Sequence, residues 1–184
     1  MSDRRQPPPF PWPWLLPMIV ELAVMVVWGV VAYPRLPDRI PQHIGPDGVD
    51  AYSAKSVLAA FGPVFVFGAL VVVLAGTALL VLRTRPREEL AAGEGDSPFL
   101  NRPHTRRGAV ATARATLVLG ACLGVTFLLT CAVVWRPDGD ADVPGWLAAG
   151  VVVPSVVGAV PLVVATVRDA RAGRALRRQR PHGS

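Results

Sequence analysis

Four stretches of this chain are apolar for long enough to cross a lipid bilayer, and that limits the fold more than any other feature. A helix needs about 20 predominantly apolar residues to span the hydrocarbon core. Residues 14–33 qualify, interrupted only by Glu21, and residues 57–82 carry no charge at all. Residues 110–135 carry one charge, Arg114 near their start, and residues 146–167 carry none. A soluble domain of 184 residues would scatter its charges. Here 52% of residues are hydrophobic and 17% are charged, with the charges gathered between the apolar runs. The expected fold class is an all-α integral membrane protein with four transmembrane helices in two hairpins. Aromatic residues at the run ends (Trp12, Trp14, Tyr33, Trp135 and Trp146) match the belt that spanning helices place at the interface.

The arginines orient the spans. The flanks at residues 1–13, 83–109 and 168–184 hold fourteen Lys/Arg residues, against four in the connections 34–56 and 136–145. Short connections rich in Lys/Arg stay on the cytoplasmic side. This predicts an N-in/C-in arrangement, with 34–56 and 136–145 outside. A cleaved signal peptide is the rival reading of the first run: Arg4 and Arg5 would be its basic region and Val30-Val31-Ala32 its cleavage site. The run is too long for that, and it contains Glu21.

The net charge of +6 raises the question of nucleic acid. The arginines adjoin membrane segments, so anionic lipid head groups are the expected partner and no nucleic acid is expected. Cys122 and Cys131 lie nine residues apart in one apolar run, which places them about 13 Å apart along a helix, too far for a disulfide. No Cys/His spacing suggests zinc. The segment QPPPFPWPW reads as a stiff lead-in to the first span, with a ligand for a proline-binding domain as its minor alternative. Residues 168–184 read as a solvated basic tail or as a basic helix lying on the membrane.

Charge at membrane depth is costly, on the order of 3 kcal/mol per residue. Glu21 and Arg114 are therefore singled out. Both lie on segments entering from the cytoplasmic side at similar depth, which suggests an ion pair between the first and third spans. The alternatives are a protonated Glu21 and an Arg114 that reaches up to the head groups. Gly120 and Gly124 form a small-xxx-small pattern suited to close helix approach, and Pro154, Gly158 and Pro161 are expected to bend the fourth span.

The connection 34–56 is the most distinctive polar segment. Pro34, Pro37 and Pro41 hold it extended, and Gly45-Pro46-Asp47-Gly48 has turn chemistry. Ser53 or Ser56 can cap the second span. His43, Asp47 and Asp50 match no defined metal motif, so no metal or other cofactor is expected. No nucleophile–base pair is present, so no enzyme is expected. Asp50 and Lys55 can pair with each other or stay hydrated.

The string LPDRIPQHIGPDGVDAYSAK resembles the signature of a bacterial membrane family, the domain of unknown function DUF1648. The matching positions are Leu36, Pro37, Ile40, Pro41, His43, Gly48, Asp50, Tyr52 and Lys55. The sequence departs at Ile44, where the family favours an aromatic, and at Gly45, often Asn there. The resemblance covers about residues 20–70. SdpI-type relatives look like multi-span immunity and signalling proteins that answer a secreted peptide toxin. The resemblance thus implies an outward-facing loop that recognises such a peptide or another membrane protein, or one that is purely structural. Pro37, Pro41, His43, Gly48, Asp50 and Lys55 are its candidate residues. A small transporter or ion-coupled carrier working through Glu21 is the alternative function.

Overall fold

The protein is described here from a computed structural model, which covers residues 7–45, 48–90, 102–136 and 145–179. The four apolar runs form four helices: α1 (Trp12–Ala32), α2 (Val57–Arg83), α3 (Arg106–Val134) and α4 (Trp146–Gln179). All four are long and apolar enough to cross a membrane. Their outward faces are apolar. Val24, Val72, Leu80, Val153 and Val160 are all exposed, which water would penalise and lipid does not.

α3 packs against each of the other three helices, while α4 packs chiefly against α3. Lipid gives apolar side chains no reason to leave it, so helices in a bilayer associate through close fit, and small residues permit that fit. α3 supplies them. A side chain at Gly120 would overlap Met18, and one at Gly124 would overlap Glu21 and Phe67. The Gly120/Gly124 pattern is thus used within the molecule, to seat α1 and α2 on α3. Gly158 of α4 fits against Cys122 of α3 in the same way. The resulting core holds Met18, Met25, Phe67, Leu82 and Leu117, each almost wholly enclosed. Both cysteines are free thiols.

Three helix ends differ from the apolar runs. α1 begins at Trp12, with Pro13 in the first turn, where a missing N–H costs nothing. α3 begins at Arg106, capped by Thr105, whose hydroxyl accepts the Gly108 N–H at 2.9 Å. α4 runs on to Gln179, well beyond residue 167. Its extension is rich in Ala and Arg, both strong helix formers, and the first part of the basic tail continues the span as helix. Residues 180–184 lie outside the described residues.

Between α1 and α2 the chain departs from an all-helical reading. After a single 3-10 turn at Tyr33–Arg35, two antiparallel strands form, β1 (Arg39–Gly45) and β2 (Gly48–Ala54). Gly45 pairs with Gly48; Pro46 and Asp47, the middle of the predicted turn, lie outside the described residues. The register breaks twice, leaving Gln42 on β1 and Asp50 on β2 without a directly opposed residue. A bulge next to Pro41 is expected, because proline gives a ladder no N–H.

Candidate functional site

The hairpin is held to the bundle by its apolar members. Leu36, Ile40 and Pro41 are buried, and the first two belong to the same core as the helices. The Leu-Pro-x-x-Ile-Pro part of the motif therefore anchors the hairpin. Lys55 closes its base. The Lys55 ammonium donates to the Leu36 carbonyl at 2.8 Å and lies 5.2 Å above the Tyr33 ring. The Lys55 backbone N–H donates to the Asp38 carbonyl at 2.8 Å. One lysine thus ties the exit of α1 to the start of α2. Ser56, one of the two candidate caps, accepts the Ala59 N–H at 3.1 Å.

A second tie comes from Pro63, inside α2. Its ring has no N–H to offer the carbonyl four residues back, and it disturbs the hydrogen bonding of the turn before it. Two donors arrive there from elsewhere. The Gln42 side-chain amide, from the bulge in β1, donates to the Ala59 carbonyl at 3.4 Å. The indole N–H of Trp135, just past α3, donates to the Ala60 carbonyl at 2.8 Å. Trp135 is buried, so it serves in the bundle and not in the interfacial belt expected of it. Trp28 meets it edge-on with ring centroids 5.3 Å apart, and Phe61 lies at 6.0 Å. Gly29 permits this, since a side chain there would collide with both Phe61 and Trp135. Trp12, Trp14 and Trp146 are exposed, as a belt requires.

His43 and Tyr52 are exposed, Tyr52 at 41%. His43 stands opposite Ala51 in the ladder. Pro37 is half-buried at the base, and Gly48 closes the strand pair. Asp50 lies on β2, and its side chain is outside the described residues. Lys55 sends its charge to Leu36 and Tyr33.

The two intramembrane charges are not brought together. Glu21 sits between helices, half-buried, with Gly124 and Phe67 beside its carboxylate. Arg114 is exposed and lies ten residues from Gly124 on α3, about 15 Å along the axis. One carboxylate oxygen of Glu21 is buried without a hydrogen-bond donor among the described residues.

At the opposite end from the hairpin, Asp169 of α4 holds the start of α3. Its buried carboxylate accepts the backbone N–H groups of His104 at 2.6 Å and Thr105 at 3.0 Å, and the Thr105 hydroxyl at 2.8 Å. Glu88 accepts the Arg106 N–H at 2.7 Å, and Glu89 takes the Arg106 guanidinium through two bonds of 3.1 and 3.0 Å. Unpaired N–H groups at a helix start favour carboxylates, which explains the arrangement. Sequence reasoning found neither Asp169 nor Gln42, and it gave Trp135 only a place in the aromatic belt. Pro63, mid-helix, was the available signal for the last two.

Four apolar helices and a short hairpin joining the first two define a multi-pass membrane protein of uncharacterised role. Residues 22–67 match the model of a domain of unknown function, DUF1648. The match takes in the second half of α1, the whole hairpin and the first turns of α2. No curated protein and no solved structure matches the chain.

Proposed function

We propose that the β1–β2 hairpin is a recognition element on the outer face of a bacterial inner membrane, and that it binds an extended peptide, such as a secreted toxic peptide, or the extended segment of another membrane protein. The observation that carries this reading is the build of the hairpin. A two-stranded sheet has an open edge on each side, and open edges accept a further strand. Its apolar motif residues are spent on anchorage, while His43 and Tyr52 are exposed. The resemblance to immunity and signalling relatives favours the same role, and the reading needs no catalysis. The test is sensitivity of cells to envelope-acting peptides after deletion of the gene and after the paired change His43→Ala with Tyr52→Ala. Loss of protection in both strains, with the variant still present in the membrane, is expected. Unchanged killing in both ends the proposal.

One observation favours a second reading, a small ion-coupled carrier. Glu21 is a carboxylate between spans with an oxygen that no donor satisfies among the described residues, and such groups mark ion paths. Glu21→Gln keeps the shape and removes the ionisable group. If proteoliposomes of the native protein show a proton or cation flux, Glu21→Gln abolishes it; no flux from the native protein excludes the carrier.

A further inference from the structure

At the arginine-rich end, α3 and α4 enclose an open groove of about 1360 Å³. Its α3 wall is one stripe: Arg107, Ala111, Arg114, Ala115 and Val118 recur at helical spacing. Arg168 and Val164 face them from α4, and Trp14 of α1 closes one side. Arg107, Arg114 and Arg168 are exposed, and no ion pair engages any of them among the described residues. The two carboxylates that also border the groove are already engaged, Asp169 by His104 and Thr105, and Glu88 by the Arg106 N–H. Four arginines against two carboxylates thus line the groove, and three of those arginines have no ion-pair partner among the described residues.

We propose that this groove is a binding site for an anionic phospholipid, with its phosphate held by Arg107, Arg114 and Arg168 and an acyl chain lying along Ala115, Val118 and Val164. Charge and shape select this occupant. A guanidinium matches a phosphate oxygen pair in geometry as well as charge. Arg107 and Arg114 stand seven residues apart on one face, about 10 Å along the axis, a span suited to a head group and its glycerol. Below the arginines the lining is small and apolar, which a soluble anion cannot use. Val164 lines the groove and is also 39% exposed on the outer apolar surface, so the groove is continuous with the face that meets lipid. Trp14, 45% exposed, is an amphipathic ring of the kind that settles at head-group level. The site is independent of the hairpin and of its proposed role.

The test uses the full chain in a mild uncharged detergent, titrated with phosphatidylglycerol, phosphatidylcholine or inorganic phosphate. Binding is read by native mass spectrometry and by thermal unfolding. Retention of phosphatidylglycerol and a rise in Tm with that lipid alone are expected. Each of Arg107→Gln, Arg114→Gln and Arg168→Gln should weaken retention about fivefold, the loss of one near-surface cation. Equal retention of phosphatidylcholine would show a merely apolar groove, and equal stabilisation by inorganic phosphate a site for free anions. Undiminished phosphatidylglycerol binding in the triple variant would move the site elsewhere. Any of the three overturns the proposal. Val164→Trp obstructs the acyl-chain path beside Arg168 and leaves every charge in place; it should also abolish selective retention, and it decides the matter if the triple variant does not fold.

Discussion

Lys55 shows how a single side chain can carry a structural role that its sequence position does not announce. It is the only lysine in the chain, and it stands at the end of the motif. Charge counting made it a partner for Asp50 or a hydrated cation. Its ammonium instead satisfies the Leu36 carbonyl at 2.8 Å and covers the Tyr33 ring. A hydrogen bond from a charged donor contributes about 1.5–3 kcal/mol, and a cation over an exposed ring about 0.5–1 kcal/mol. Lys55 is only half-buried, so the lower values apply. Lys55→Met keeps the stem and removes both interactions, and should cost about 2 kcal/mol, seen as a lower Tm in detergent. A Tm equal to that of the native protein would show that the clamp contributes nothing. The motif was legible as a list of positions, and the division of labour within it was not. Burial of Leu36 and Ile40 depends on where α1 and α2 converge, and no local pattern encodes that convergence.

The helices themselves were legible because the bilayer makes length and apolarity sufficient conditions. Each of the four runs falls within one helix to within a residue, and the helices extend past the runs at their ends. Thr105 moves the start of α3 outward, and a run of helix-forming residues carries α4 through Asp169 to Gln179. The hairpin was missed for a physical reason. Its strands hold Pro41 and two bulges, so they lack the strict alternation that marks a strand. The junction of α3 and α4 was missed as well, because it joins residues 65 positions apart through one carboxylate. Asp169→Ala should free the N–H groups of His104 and Thr105 and weaken the α3–α4 contact. The expected loss is about 1–3 kcal/mol, and Asp169→Asn, which keeps one acceptor oxygen, should lose less. Urea or thermal unfolding of the three proteins orders them; equal stabilities would show that the junction is dispensable.

Across the molecule, the start of α1, the start of α3 and the end of α4 share one end, and the hairpin occupies the other. That arrangement accords with an even number of crossings, and the arginine distribution predicts that the hairpin lies outside. Cysteine labelling in intact cells with a membrane-impermeant maleimide tests the orientation, in a background lacking Cys122 and Cys131. Tyr52→Cys should label, and Arg171→Cys should label only after lysis; the reverse pattern would invert the protein. The bond from Trp135 to Ala60 has a consequence for how such a molecule is made. Its partners are separated by 75 positions, so when the ribosome has delivered the first two spans, the acceptor on α2 has no donor yet. The hairpin end stays unlatched until the third span is threaded. The segment that matches the domain family is therefore not a self-sufficient unit in this protein, and its last fastening comes from residues that the match does not include.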